Sequence, residues 1–143
     1  MFVGLFVLTG AKDCVAVVMN PDTNTNESIP VDVGPIDSSN FIVKAMWMAD
    51  SQTELLIATL DFVKIFDLAK SVSKPVYNLL IANGKVRDVT LVYTPDGGPH
   101  VLIMSSTGQV FVQELTPVAA ADMGDYNIVL FFEIVQFLTS EYL

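Results

Sequence analysis

Cysteine and histidine are almost absent from this sequence, which contains one of each, Cys14 and His100. A structural zinc site built on these residue types needs about four ligands, so the chain cannot supply one. A disulfide framework is also excluded, since a lone cysteine has no partner within the chain, and a reducing compartment is expected. An enzyme that relies on an activated thiol or imidazole would have only these two side chains to use.

Basic residues are scarce as well, with 7 Lys and Arg against 16 Asp and Glu, a formal net charge of −9. Nucleic acid is not expected as a partner, because phosphate binding needs clusters of Lys and Arg. The acidic excess is better explained by solubility than by a docking surface for a basic partner.

Long apolar runs are missing too. The run YNIVLFFEIVQFL at 126–138 contains Glu133 and falls short of the roughly 20 residues that a bilayer crossing needs. The apolar start of the chain lacks a positively charged segment, and a strand explains it equally well. The sequence therefore predicts neither a transmembrane segment nor a targeting segment.

Short strand-like segments make up most of what is present. Apolar residues reach 52% and charged residues 16%, which indicates one modest globular domain. Segments rich in β-branched and aromatic residues alternate with turn residues, without a convincing helical period between them. They lie at 41–48, 54–60, 62–68, 76–81, 86–93, 100–106 and 109–115. This pattern predicts an antiparallel all-β fold.

The segments also repeat. VKAMW…LLIATLDFVKIFDL is matched by VRDVT…VLIMSSTGQVFVQEL, which aligns Val43 with Val86, 43 residues on, and Val63 with Val110, 47 residues on. The difference between the two offsets is assigned to the loop TPDGGP. A period in the mid-forties is close to that of WD-type propeller blades. We expect two to three four-stranded antiparallel blades of a β-propeller, arranged as an incomplete ring.

The repeat also predicts which residues hold the blades together. Asp61 and Gly108 are expected at equivalent hairpin turns, where a positive φ is tolerated. The Trp of the WD signature is missing, since Phe66 and Gln113 occupy that position, so packing of apolar side chains is expected to hold the blades. The predicted blade core consists of Trp47, Val63, Ile65, Phe66, Val89, Val110, Phe111 and Val112.

Four segments follow from this interpretation. Residues 1–19 form a possible hairpin of a preceding blade, 20–40 a polar acidic linker, 41–115 the two blades, and 116–143 a loop and an apolar tail of uncertain structure. Propellers usually have about four to eight blades, so two or three cannot close a ring. We expect the blades to be part of a longer polypeptide.

No arrangement of side chains predicts catalysis. His100 is interpreted as a loop or strand-entry residue and Cys14 as a buried thiol. Ser105 lies outside a G-x-S-x-G elbow, and the turn PDGG at 95–98 lacks the Lys of a phosphate loop. The acidic residues of the linker do not have the spacing of a calcium loop. They are Asp22, Glu27, Asp32 and Asp37.

Recognition of a ligand at the blade loops is a weaker hypothesis. Propellers often bind peptides there, and Lys64, Lys85 and Arg87 are the basic residues near these loops that could hold an acidic ligand. Aromatic residues at equivalent blade positions are expected to pack in the core instead. These are Trp47, Phe66, Tyr93 and Phe111.

The stretch 39–115 resembles one protein family. SNFIVKAMW, SQTELLIATLDFVKIFDLA, KVRDVTLVY and IMSSTGQVFVQEL are similar, in that order, to the propeller-type region of the giant UBR-box E3 ubiquitin ligases. These proteins are called calossin or Pushover in animals and BIG in plants. Leu60 and Phe66 replace the usual Ala and Tyr of the family. The resemblance covers about half of the chain.

The resemblance implies a non-catalytic scaffold segment of a giant N-degron-pathway ligase, cytoplasmic and also nuclear. Its implied partners are other parts of the parent ligase, calmodulin and cytoskeletal proteins. The zinc-binding modules of the family, including the catalytic one, lie elsewhere, so no cofactor is expected in this chain. One alternative is a stand-alone small β interaction module that oligomerises through its edge strands. A second is an enzyme with an unrecognised site.

Overall fold

The structure, a computed structural model, describes residues 4–20, 22–95, 97–116 and 128–130. Strands occupy most of this part of the chain, and no helix occurs in it. The strands are β1 (Gly4–Thr9), β2 (Cys14–Asn20), β3 (Thr25–Val31), β4 (Ile42–Trp47), β5 (Glu54–Thr59), β6 (Val63–Asp67), β7 (Tyr77–Ile81), β8 (Val86–Tyr93), β9 (Pro99–Ser105), β10 (Val110–Glu114) and β11 (Ile128–Leu130). The predicted all-β class is confirmed. Among the described residues, no helix is long and apolar enough to span a bilayer.

The strands form three sheets that follow one another along the chain. The first sheet has the order β1-β2-β3, the second β4-β5-β6-β7 with β11 beside β7, and the third β8-β9-β10. Consecutive strands are antiparallel neighbours within each sheet, whereas β11 runs parallel to β7. The described strands do not close a ring, and the arrangement is that of an incomplete propeller, as predicted. Four antiparallel strands are present in the second sheet and three in each of the others.

The structure differs from the linker prediction for 20–40. Residues Thr25–Val31 form β3, which pairs with the whole of β2. Only Ile29 and Val31 of this strand pack against the core, and its other residues are largely exposed. Such a strand lacks an alternating apolar pattern, and Pro30 is tolerated because β3 lies at a sheet edge. Of the predicted tail 116–143, residues 117–127 and 131–143 lie outside the described part of the chain.

Both faces of the second sheet are buried. Along β5, Leu55 and Ile57 pack against the first sheet, while Leu56 and Ala58 pack against the third sheet. All four side chains are 0% exposed. Since successive side chains of a strand point to opposite faces, one continuous apolar run supplies both interfaces. The two cores are therefore joined through β5.

Strand pairing gives the register of the repeat. Ile42 and Val86 pair with Thr59 and Ser105 respectively, and β-bulges follow both of them. The β4-to-β8 offset is therefore 44 residues rather than the predicted 43, because the bulges align Ile42 with Val86. The β5-to-β9 offset is 46, and the predicted offset of 47 between Val63 and Val110 is confirmed. The extra residues lie in both the β8–β9 and β9–β10 loops.

Substitution of Phe66 tests the core between the first and second sheets. Phe66 is 0% exposed, so Phe66→Ala should lower the free energy of unfolding by about 3–5 kcal/mol through lost burial and a residual cavity. Phe41→Ala is the matched control, because Phe41 is 47% exposed and its loss should cost about 0.5 kcal/mol or less. Urea unfolding measures both changes. Equal losses in the two variants would contradict this placement of Phe66.

Candidate functional site

The buried polar residues of the described chain lie at one end of the sheets. They are Asn40, Thr59 and Ser105, with 5%, 0% and 3% of their surfaces exposed. Thr59 ends β5 and Ser105 ends β9, at equivalent positions of the repeat. Asn40 precedes β4. Buried polar groups are costly without hydrogen bonds, so each of these side chains is expected to have hydrogen-bond partners. Those partners identify the loops and turns that the three residues connect.

Asn40 and Thr59 form a compact hydrogen-bond network. The Asn40 Oδ1 accepts hydrogen bonds from the backbone N–H of Leu60 at 2.8 Å and of Phe41 at 2.9 Å. The Asn40 Nδ2 donates to the Thr59 Oγ1 at 3.2 Å. The same hydroxyl accepts from the N–H groups of Asp61 and Phe62, each at 3.3 Å. The segment before β4 is thus fastened to the β5–β6 turn.

Ser105 forms a related network in the third sheet. Its Oγ accepts the backbone N–H of Thr107 at 3.0 Å. The neighbouring Ser106 donates its N–H to the Lys85 carbonyl at 2.8 Å and accepts the Lys85 N–H on its Oγ at 2.9 Å. Gly84 has φ +80°, and a Cβ there would lie 2.8 Å from both serine hydroxyls. The close approach of the two loops therefore requires glycine.

Backbone hydrogen bonds also connect successive sheets. The N–H of Ile42, at the start of β4, donates to the carbonyl of Ala11 in the β1–β2 loop at 2.7 Å. The N–H of Val86, at the start of β8, donates to the carbonyl of Leu60 in the β5–β6 turn at 2.8 Å. The first strand of each later sheet is thus tied to the preceding sheet. The prediction that apolar packing holds the blades agrees with the two cores between the sheets, and a polar connection is added at each junction.

Charged side chains also bridge neighbouring sheets near these junctions. Lys85 forms a hydrogen-bonded ion pair with Asp61, and this partner raises the pKa of Lys85. Lys44 of β4 donates to the carbonyl of Val89 at 2.9 Å and lies 3.3 Å from the Asp88 carboxylate of β8. Exposed ion pairs of this kind contribute little stability by themselves. We define residues 10–13, 37–42, 59–62, 84–86 and 105–108 as the loop junction.

The predicted ligand-binding residues do not form one site. Lys64 donates to the carbonyl of Val33 at 2.8 Å, its Nζ lies 4.3 Å from the centre of the Phe62 ring, and burial lowers its pKa. Lys85 belongs to the loop junction, and Arg87 is exposed at the β8 bulge. A common pocket for an acidic ligand is not formed by these three residues.

The predicted core residues have three different locations. Fully or nearly fully buried are Val63, Ile65, Phe66, Val89 and Phe111. Val110 and Val112 are half-buried on the face of the third sheet that points away from the second. Trp47 is half-buried beside the core of the first and second sheets.

The predicted turn residues also differ from each other. Gly108 has φ +86°, but Asp61 does not adopt a positive φ; among the described non-glycine residues, only Asn24 does. The turns are not equivalent, since the Thr59 N–H bonds to the Phe62 carbonyl, whereas the Ser105 N–H bonds to the Gln109 carbonyl. The longer turn of the third sheet uses glycine where a left-handed conformation is needed.

A groove of about 210 Å³ lies between the first and second sheets, at the end opposite the loop junction. Trp47 lines it together with Val18, Ile29 and Leu68, and Glu27 lies among the lining residues. The Trp47 Nε1 is buried and makes no hydrogen bond with any described group. The groove is a mainly apolar cleft between two sheets, and its polar lining residues are Glu27, Gln52 and Thr53.

The candidate catalytic residues are separated. Cys14 is buried in β2, and burial raises the pKa of its thiol to about 11, which keeps it protonated and unreactive at neutral pH. His100 lies in β9 opposite Glu114 of β10. Within the described ranges, no group of three His, Cys, Asp or Glu side chains could hold a metal ion.

Sequence reasoning missed Asn40 and Thr59, and it considered Ser105 only as a candidate nucleophile that lies outside a G-x-S-x-G elbow. A usable signal was present, since a hydroxyl residue ends the second strand of both repeats, in ATLDF and SSTGQ. The polar partner of Thr59 lies 19 residues earlier, in a segment interpreted as linker, so spacing alone could not identify it.

The chain has relatives among curated proteins, although no model of a known protein family matches it. It is 35% identical over 122 residues to protein purity of essence of Drosophila pseudoobscura pseudoobscura, a match that covers 83% of this chain. It is 26% identical over 110 residues to a probable E3 ubiquitin-protein ligase of Dictyostelium discoideum, covering 76% of the chain. It is also 26% identical over 117 residues to auxin transport protein BIG of Oryza sativa subsp. japonica, covering 82%.

These relatives confirm the resemblance seen in the stretch 39–115. They are also very much longer than this chain, which spans 2% of the length of each of the three. The match therefore concerns one short region of each relative.

Substitution of Asn40 tests the polar connection. Asn40→Ala leaves the half-buried Leu60 N–H without its acceptor, which should cost about 1–3 kcal/mol of unfolding free energy. Asn26→Ala, on the exposed side of β3, is the control and should change stability by about 0.5 kcal/mol or less. Hydrogen exchange of the Leu60 amide should accelerate only in Asn40→Ala. Unchanged protection there would show that the Asn40 contact does not secure the turn.

Glu54 predicts a pH dependence of stability. Burial, followed by the charges of Asp50 and Asp67, raises the pKa of Glu54 above its usual value of 4.5. The folded protein then binds the Glu54 proton more tightly than the unfolded chain does. The stabilisation that protonated Glu54 gives to the fold is therefore complete below pH 4.5 and is lost as the pH rises through the pKa of the folded state. Glu54→Gln should therefore be more stable than the wild type at pH 7, and the gain should shrink at lower pH.

Urea unfolding at a series of pH values measures the effect of Glu54→Gln. Glu27→Gln is the control, because Glu27 is exposed on β3. A stability difference between Glu54→Gln and the wild type that grew as the pH fell would contradict the assigned direction.

Proposed function

Because this chain belongs to the family of calossin (Pushover) and BIG, of whose members it matches one short region, we propose that it is a non-catalytic scaffold segment of an N-degron-pathway E3 ubiquitin ligase. The observation that carries this proposal is the 35% identity to protein purity of essence over 83% of the chain. The 122 matched residues exceed the length of any single sheet, so the similarity to this relative extends over more than one of the stacked sheets.

The stacked sheets suit a mechanical role. The second sheet is held on both faces by apolar cores, and each junction is secured by backbone hydrogen bonds at the start of β4 and β8. Such a unit resists bending between successive sheets, because movement would break packing and hydrogen bonds together. In the parent ligase it would keep distant substrate-binding and catalytic modules at a fixed separation.

The remaining family properties are part of the same proposal. Neighbouring parts of the parent ligase would complete the free edge strands, and calmodulin and cytoskeletal proteins would be further partners, in the cytoplasm and the nucleus. Zinc would be bound by other modules of the parent, which have the cysteine and histidine ligands that this chain lacks.

Turnover of reporter proteins in the source cells tests the scaffold role. Phe66→Ala, introduced into the native gene, should lengthen the half-life of a reporter that begins with Arg and leave one that begins with Met unchanged. Phe41→Ala is the matched control and should leave both half-lives unaltered, because Phe41 is exposed. An Arg-initiated reporter degraded at the wild-type rate in Phe66→Ala cells would overturn the proposal.

A second candidate is a stand-alone interaction module. The exposed apolar side chains on the third sheet favour it, since 45% of Met104 is accessible. An immunoblot with an antibody against residues 20–40 distinguishes the ligase segment from the stand-alone module. A band of far higher mass than 15.6 kDa supports the ligase segment, and a band at 15.6 kDa supports the independent module.

A further inference from the structure

The connection between the second and third sheets contains an Asn-Gly pair. Asn83 and Gly84 lie between β7 and β8, and both residues are exposed. Asn83 is the only asparagine in the sequence that precedes a glycine. Glycine has no side chain to hinder the approach of its backbone nitrogen to the side chain of the residue before it. The pair is therefore the place in this chain where a backbone nitrogen can most easily attack an asparagine side chain.

The structure leaves the reacting groups of this pair accessible. Within the described part of the chain, the Gly84 N–H donates no hydrogen bond and the Asn83 side chain makes none. The loop lies at the ends of the strands, beyond the faces on which the sheets stack. Loss of the Gly84 amide proton would thus break no contact that stabilises the fold.

We propose that Asn83 is a site of hydrolytic deamidation, which acts as a slow covalent switch on the loop junction. The Gly84 nitrogen loses its proton and attacks the Asn83 Cγ, so that a new C–N bond forms, the bond from Cγ to Nδ2 breaks, and ammonia leaves. Water then opens the cyclic imide. Hydrolysis at Cγ gives aspartate, and hydrolysis at the main-chain carbonyl gives isoaspartate. Water is the co-reactant, and neither step is a redox reaction.

The residues that follow Asn83 form the most tightly packed part of the loop junction. Lys85 donates its N–H to the Ser106 Oγ at 2.9 Å and accepts the Ser106 N–H on its carbonyl at 2.8 Å. Val86 donates its N–H to the Leu60 carbonyl at 2.8 Å. A Cβ on Gly84 would lie 2.8 Å from the Ser106 hydroxyl, so the backbone has little room to shift. These contacts connect the β7–β8 loop to the turns of the second and third sheets.

Both products of deamidation would disturb these contacts. Isoaspartate inserts a methylene into the backbone immediately before Gly84, which has no space to accommodate the longer chain. The hydrogen bonds between Lys85 and Ser106 would then lengthen or break. Each product also carries a new carboxylate, which would compete with Asp61 for Lys85. We therefore expect the connection between the second and third sheets to weaken as deamidation proceeds.

Peptide mass spectrometry of the aged chain tests the chemistry. Trypsin cleaves after Lys85, and the peptide that ends there also contains Asn78, which precedes Leu79 and serves as an internal reference. After incubation of the folded chain at mildly alkaline pH, fragment spectra should place the mass change of deamidation on Asn83 and leave Asn78 unchanged. Isomerisation of Asp96, which also precedes a glycine, changes no mass and does not interfere.

Urea unfolding of the same samples tests the effect on the loop junction. The aged wild type should unfold at a lower urea concentration than the fresh protein, by an amount that grows with the deamidated fraction. Hydrogen exchange of the Lys85 and Ser106 amides should accelerate in parallel. Asn83→Gln is the matched control, because it keeps the amide but its longer side chain would have to close a larger ring. The stability of Asn83→Gln should not change on ageing.

Two results would overturn the inference. The first is deamidation of Asn83 that proceeds no faster than that of Asn78 in the folded chain. The second is a loss of stability on ageing that is as large in Asn83→Gln as in the wild type. The inference depends on the β7–β8 loop and not on the ligase assignment. Neither result would therefore affect the scaffold proposal, which is tested by reporter half-lives in cells.

Discussion

The structure depends on the burial of the second sheet on both of its faces. Four consecutive residues of β5, Leu55–Ala58, are inaccessible to solvent, and they alternate between the two neighbouring sheets. Neither core could form with the second sheet alone, because a sheet needs another layer to bury an apolar face. Loss of either neighbouring sheet would expose half of this run. The first and third sheets are thus coupled through a strand that belongs to neither.

Apolar packing by itself would leave the angle between sheets poorly defined, and the loop junction supplies the missing restraint. At this end of the molecule, the first strand of each later sheet donates a backbone hydrogen bond to the sheet before it. Near these bonds, the side chains of Asn40 and Ser105 accept hydrogen bonds from backbone N–H groups of the turns, and Asn40 also donates to Thr59. Buried polar groups of this kind are costly in any other arrangement, so they favour one geometry over alternative packings of the same apolar surfaces.

Much of this architecture could be predicted from the sequence, because the second and third sheets carry strong β patterns at a regular spacing. The residues Val63 and Val110 were aligned correctly, whereas the β-bulges after Ile42 and Val86 shifted the first strands by one position. Bulges leave no local apolar signal. Strand β3 was not predicted because most of its side chains face solvent and give no alternating apolar pattern. It is specified instead by its pairing with β2. Asn40 escaped because its role depends on a contact across 19 residues.

Native-state hydrogen exchange of the β5 backbone is the most direct test of this account. If burial on both faces of the second sheet is the central constraint, the amides of Leu55–Ala58 should exchange only through global unfolding, with the highest protection in the chain. The strands at the sheet edges, such as β3, should exchange through smaller openings. Protection in β5 no greater than in β3 would contradict the account, because it would show that the second sheet opens without unfolding of the cores on either side.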